Sequence, residues 1–197
     1  MKTLFLTFAF VLWGTIVQSN GTLVLMVDQS DSIGASQVEK QTDAYINAIQ
    51  SIPNLNNTRL EFVFFGEDFI HVPDVSIENL ESTFHTGANT IGNKTCMADS
   101  LEYIESLVPS LPVPVILDIS GDGVPNCYNR DLEISRIHAS LDRLELMGVQ
   151  VNTIVISENM ATAAFEEFGI NFFKEMARNY GFSLIADNFN VFEDVLY

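Results

Sequence analysis

Thr22–Asp28 is a continuous apolar run, Thr-Leu-Val-Leu-Met-Val-Asp, as expected of a strand buried on both faces. Ser36-x-x-Glu39 is a capping box, after which Val38, Tyr45, Ile49 and Ile52 mark one face of a helix. Arg59–Phe65 and Phe69–Val75 read as two strands joined through Gly66-Glu67-Asp68. A short helix over Ile77–Phe84 and a polar loop, His85–Gly92, come next, then a helix through Met97, Leu101, Ile104 and Leu107. Val113–Ile119 is a second continuous apolar strand, bounded at its start by Pro112 and Pro114. Ile134, Ile137, Leu141 and Leu144 give the stripe of a helix that stops near Gly148. Val149–Ile156 reads as a strand and Ala161–Tyr180 as a helix with Phe165, Phe168, Phe172 and Met176 on one side. A last strand, Phe182–Ala186, and a short helix over Asn190–Leu196 complete the pattern.

Alternation of this kind predicts an α/β domain with a doubly wound, mostly parallel sheet and helices on both faces. Ligands of such sheets sit beyond the carboxyl ends of the strands, where the strand order reverses. The residues just after each strand therefore carry the functional question.

The first nineteen residues stand apart. Lys2 supplies a positive charge, Leu4–Trp13 is apolar except for Thr7, and Gly14–Ser19 is smaller and more polar. This is the layout of a secretory signal cleaved after Ser19, and the run is too short for a membrane span. Residues 20–197 then form a single domain that is secreted to an extracellular or periplasmic space. The whole chain has 9 Lys+Arg against 26 Asp+Glu, a formal charge of −17, with 47% apolar residues. The apolar content with regular patterning excludes a disordered acidic tail. The charge disfavours nucleic acid and anionic lipid as partners and favours cations or basic surfaces.

Export also bears on the two cysteines. The topology brings the loops holding Cys96 and Cys127 to one end of the sheet, so a disulfide is expected there. Closing that loop would stabilise by roughly 3–4 kcal/mol on the loop-entropy model. Asn20, Asn56 and Asn93 begin glycosylation sequons that matter only in a host that glycosylates secreted proteins.

Three loops at strand ends hold oxygen donors. The first strand ends Asp28-Gln29-Ser30-Asp31-Ser32, in which alternation sends Asp28, Ser30 and Ser32 to one side and Asp31 away from them. Thr90 lies in Thr86-Gly87-Ala88-Asn89-Thr90-Ile91-Gly92, and Asp122 follows the central strand in Ser120-Gly121-Asp122-Gly123. Two carboxylates and three hydroxyls, with no thiolate or imidazole, suit magnesium or manganese better than zinc or copper. Calcium sites usually bring more carboxylates and carbonyls.

Asp28-x-Ser30-x-Ser32, Thr90 in its glycine-rich loop and Asp122 in Ser-Gly-Asp-Gly together resemble the von Willebrand factor type A (vWA) pattern. Thr86–Gly92, Asp118–Gly123 and Gly148–Asn152 are most similar to a little-characterised secreted bacterial subfamily of it. The resemblance spans the mature chain and implies a six-stranded sheet of order 3-2-1-4-5-6 with one short antiparallel edge strand. It also implies a metal-ion-dependent adhesion site. Ser30, Ser32 and Thr90 would contact Mg2+ through hydroxyls, Asp28 and Asp122 partly through water, and an acidic side chain of a protein partner would complete the octahedron. Two departures are Asp31, where a small residue is usual, and Cys127, which the family does not require.

Other chemistries are less well supported. Gly87 to Thr95 is one residue too long for a phosphate-binding P-loop, because Asn93 turns Lys94 by about 100° around the helix. No Gly-x-Ser-x-Gly elbow is present, and His71, His85 and His138 are scattered. A non-enzymatic, Mg2+-holding adhesion module is therefore expected. The alternatives are a Mg2+-dependent enzyme acting on a phosphoester and a scaffold with a vestigial metal site. An acidic carrier repels acidic partners at long range, so the partner is expected to be basic overall with a local acid, or binding to need moderate salt.

Overall fold

A computed structural model of the chain describes residues 20–51, 55–87, 91–122, 124–127, 129–156 and 163–186. The expected signal segment 1–19, Thr90 and the terminal helix over Asn190–Leu196 lie outside the described residues. Ser32 and Asn56 are described by their backbone alone.

The elements in order are β1 (Thr22–Asp28), α1 (Gly34–Ser51), β2 (Arg59–Phe65), β3 (Phe69–Val72) and α2 (Leu80–Gly87). They continue with α3 (Met97–Leu107), β4 (Val115–Gly121), α4 (Arg130–Leu146), β5 (Gln150–Ile156), α5 (Ala163–Met176) and β6 (Ser183–Ala186). The strands form one sheet in the order β3-β2-β1-β4-β5-β6, with β3 antiparallel to β2 and every other pairing parallel. Strand order therefore reverses between β1 and β4, as the motif resemblance implied.

Some boundaries differ from the sequence pattern for local reasons. Pro114 has no N–H to donate to a central ladder, so β4 starts at Val115, and the Pro114 carbonyl accepts from the Thr22 N–H at 2.8 Å. At β3 the strand stops at Val72, because Asp74 takes a left-handed φ of 51° and turns its N–H onto the Glu61 carboxylate at 3.3 Å. The α5 helix ends at Met176, not Tyr180, since Arg178 exchanges two backbone hydrogen bonds of 3.1 Å with Val151.

Each sheet face has its own core. On one face, α1 and α2 bury Tyr45, Ile49, Leu80 and Phe84 against Leu25, Phe62 and Phe64. Phe84 meets Phe62 and Phe64 edge-on at 5.1 and 5.5 Å. On the other face, Met97, Leu101, Ile137, Leu141, Phe172 and Phe173 from α3, α4 and α5 cover Val24, Met26, Val63 and Ile119. Phe168 was expected on the core stripe of α5, yet it is partly exposed and stacks between Phe172 and the Arg130 guanidinium. Across the outside of these helices, Arg136 pairs with Asp99 at 2.6 Å and Glu102 at 2.7 Å, and Arg143 pairs with Glu105 at 2.7 Å. These half-exposed pairs fix α3 beside α4 without contributing much energy.

His71 is an edge residue with a structural role. Its ring bridges the fully buried Glu61 carboxylate at 2.6 Å and the Tyr103 hydroxyl at 2.7 Å, and Arg59 also pairs with Glu61.

Beneath α1 the sheet carries polar groups. Gln41 Nε2 donates to the Ser120 hydroxyl at 3.2 Å, Asn152 Nδ2 donates to Asp118 at 2.6 Å, and Gln150 donates to Asn152 at 2.9 Å. Burial pushes the Asp118 carboxyl up to about 6, and the Asn152 bond pulls it back only partly. A carboxyl raised in the folded state contributes stability below its unfolded value near 3.8, and that contribution is lost as pH rises through about 6. Asp118→Asn should remove this loss and raise stability at pH 7 by on the order of 2–3 kcal/mol. Urea denaturation at pH 4 and pH 7 checks it, and an unchanged difference between the two pH values would refute it.

Candidate metal centre

The ends of β1 and β4 bring two acids together. Asp28, the last residue of β1, is fully buried, and its Oδ1 accepts from the Ser30 N–H at 2.9 Å. Its Oδ2 is buried without a hydrogen-bond partner among the described residues. Gly121 ends β4 beside it, where a Cβ would lie 2.9 Å from that same oxygen. Asp122 follows and is also buried. Burial first, and then the charge of Asp122, push the Asp28 carboxyl up to about 8, against the lowering effect of its bonds from Ser30.

A third segment closes over these ends. Ile91 N–H donates to the Gln29 carbonyl at 3.0 Å, Asp31 N–H to Gly92 at 3.2 Å, and Cys96 N–H to Gly66 at 2.7 Å. This lacing carries Thr95 inward, where it is buried and its hydroxyl donates to the Ser30 hydroxyl at 3.3 Å. The Cys96–Cys127 disulfide expected from topology is present, with Cα atoms 4.9 Å apart. Asp31 is exposed, but Gln29 is buried and Asp31–Ile33 form a 3-10 turn, so the extended alternation expected to carry Asp28, Ser30 and Ser32 to one side stops where β1 ends, at Asp28.

Solved structures of similar architecture decide the fold. The pilus adhesin SpaC from Lactobacillus rhamnosus GG aligns over 90% of this chain and 29% of its own, with 13% identity and a TM-score of 0.69. The vWF domain of the type V pili tip protein Mfa5 from Porphyromonas gingivalis aligns over 89% of this chain and 92% of its own, with 11% identity and a TM-score of 0.64. A von Willebrand factor type A protein from Catenulispora acidiphila aligns over 90% of this chain and 41% of its own, with 12% identity and a TM-score of 0.62. The chain has a vWA fold. It spans under a third of the pilus adhesin's length. No family sequence model and no curated protein sequence matches it.

In this fold the expected donors Asp28, Ser30 and Asp122 stand at one pole of the sheet, while Ser32 lies in the 3-10 turn Asp31–Ile33 that follows. Among the described residues no three His, Cys, Asp or Glu side chains cluster to hold a metal. The donor set is instead two carboxylates with hydroxyls. A buried carboxylate oxygen without a partner among the described residues, close enough to a second buried carboxylate to feel its charge, fits a cation site, because a divalent ion reverses the local penalty on both charges. The fit favours a hard ion held largely by oxygen and water.

Thr95 was not singled out for this site from the sequence, where it appeared only as the end of a sequon and of a failed P-loop pattern. Its position two residues before the Met97 stripe was the available signal: a hydroxyl on the entry to a helix can face a preceding strand end. Asn93 and Asn20 of the sequons are exposed. No described helix is long and apolar enough to cross a membrane.

Proposed function

We propose that this vWA domain is a secreted, non-enzymatic binding module that holds a divalent cation, magnesium first, and captures a protein through an acidic side chain. Asp28, Ser30, Ser32 and Asp122 would hold the ion together with a threonine hydroxyl. Thr95 has the contact with Ser30 that supports this role, and Thr90 is the alternative donor from the same segment. The observation that carries the reading is the buried Asp28 Oδ2, unpaired among the described residues and set against Asp122. An extracellular role is supported by the similarity to domains of a pilus adhesin and a pili tip protein.

Thermal unfolding in EDTA and then in magnesium, manganese or calcium tests the proposal. Circular dichroism is the suitable probe, since Trp13 is the only tryptophan and belongs to the expected signal segment. Ion at about 100 times its dissociation constant should add roughly 2.7 kcal/mol. Asp122→Ala should abolish the shift, and equal shifts in both proteins would reduce the effect to screening of an acidic surface. Thr95→Ala against Thr90→Ala assigns the third hydroxyl. Metal-dependent phosphoester turnover that is lost in Asp122→Ala would overturn the non-enzymatic reading.

A further inference from the structure

The β4–α4 connection and the first turn of α4 grip the Thr95 segment by three independent means. Asn126 holds Thr95 from both sides of the peptide: its Oδ1 accepts from the Thr95 N–H at 2.8 Å, and its own N–H donates to the Thr95 carbonyl at 3.3 Å. Cys127 is bonded to Cys96, the next residue after Thr95. Glu133, buried on α4, accepts from the Ala98 N–H at 2.9 Å and so caps α3, whose N-cap residue Cys96 provides no side-chain cap. All three ties come from the chain that leaves Asp122, and all three land within four residues of one another around Thr95.

A cross-link needed only for stability could join any two neighbouring loops. This one, with Asn126, fixes a residue whose hydroxyl touches Ser30, and it fixes that residue to the loop bearing the second acid. Without the Asn126 side chain the Thr95 N–H would lose the acceptor it has among the described residues, and the hydroxyl would lose its hold beside Ser30. We infer that Asn126 and the Cys96–Cys127 disulfide are a positioning clamp that presets Thr95 for the cation, so that metal affinity depends on the clamp. This inference rests on the proposed metal reading.

Isothermal titration of the folded, oxidised protein with magnesium chloride, well below the unfolding midpoint, tests it. Asn126→Ala with the disulfide intact and Cys96→Ser/Cys127→Ser are compared with wild type, with far-UV circular dichroism confirming the fold of each. Glu105→Gln, which breaks the outer pair with Arg143, serves as a variant that perturbs packing far from the clamp. Each clamp variant should weaken magnesium binding about 10-fold or more, as loss of an outer-sphere positioning group does, and Glu105→Gln should bind as wild type does. If the cysteine variant does not fold, Asn126→Ala decides. Folded clamp variants that bind within about two-fold of wild type would overturn the inference and leave the metal reading intact. No binding by wild type itself would overturn the metal reading, and the clamp with it.

Discussion

Asp28→Asn should make the metal-free protein more stable at pH 7 while abolishing its response to magnesium. The expectation follows from the buried Oδ2, which has no partner among the described residues, and from the nearby Asp122. Ionising Asp28 in that setting is unfavourable unless a cation is present. Its carboxyl is raised from 3.8 to about 8 in the folded state. The stability it contributes is therefore complete below about 4 and is lost as pH rises toward about 8. Wild type in EDTA should weaken across that window, whereas Asp28→Asn should not, with a difference at pH 7 on the order of a few kcal/mol. Saturating magnesium should cancel the slope in wild type by holding the carboxylate ionised. The window also separates Asp28 from Asp118, whose contribution is already exhausted above about 6. Denaturant midpoints at pH 4, 6, 7 and 8, with and without EDTA, measure all of this; a variant less stable than wild type at pH 7 in EDTA would count against a carboxyl whose ionisation burial opposes.

The second large effect is expected at Gly66, which links β2 to the turn before β3. A Cβ there would sit 2.2 Å from the Ile91 carbonyl oxygen and 2.9 Å from its carbonyl carbon. Neither atom can rotate away, because Ile91 is bonded on one side to Gln29 and on the other to Glu67. Gly66→Ala must therefore displace the segment from Ile91 to Cys96, breaking the Cys96 N–H bond to Gly66 and drawing Thr95 off Ser30. We expect a loss of about 3 kcal/mol, as for overpacking against backbone, accompanied by weaker magnesium binding. Thermal unfolding and magnesium titration of the same sample report both effects, and a variant with wild-type stability would show that the segment yields freely.

The strands that were legible from sequence are those whose pattern is complete within themselves. Thr22–Asp28 and Arg59–Phe65 keep the limits their residues implied, because a strand buried on both faces is written as a mostly apolar run, which in the second is broken only by Arg59 and Glu61. Limits set by a distant partner were not legible. Met176 ends α5 because Arg178 pairs with Val151, and no local feature of Ala177 or Arg178 announces that. The same division runs through the candidate site. Asp28, Ser30 and Asp122 could be named as candidates because strand ends are local features, and the disulfide could be expected because the order of elements puts its two loops at one pole. Thr95 with Asn126, and Ala98 with Glu133, are separated by 31 and 35 residues and meet only after the sheet has formed. Hydrogen bonds over such separations leave no periodic trace.

Because the five mutually parallel strands share one direction, the molecule has two unlike poles. Asn20 precedes β1, whose first residue, Thr22, lies roughly 20 Å from Asp28 at its far end at the rise of an extended strand. Ala186 ends β6 at the same pole as Asp28 and Asp122. A bead or sensor chip coupled at Asn20 would therefore display the acids outward, toward whatever is flowed past. Coupling at the pole where β6 ends would set the support beside them and obstruct approach, so the attachment point decides whether the acids stay accessible.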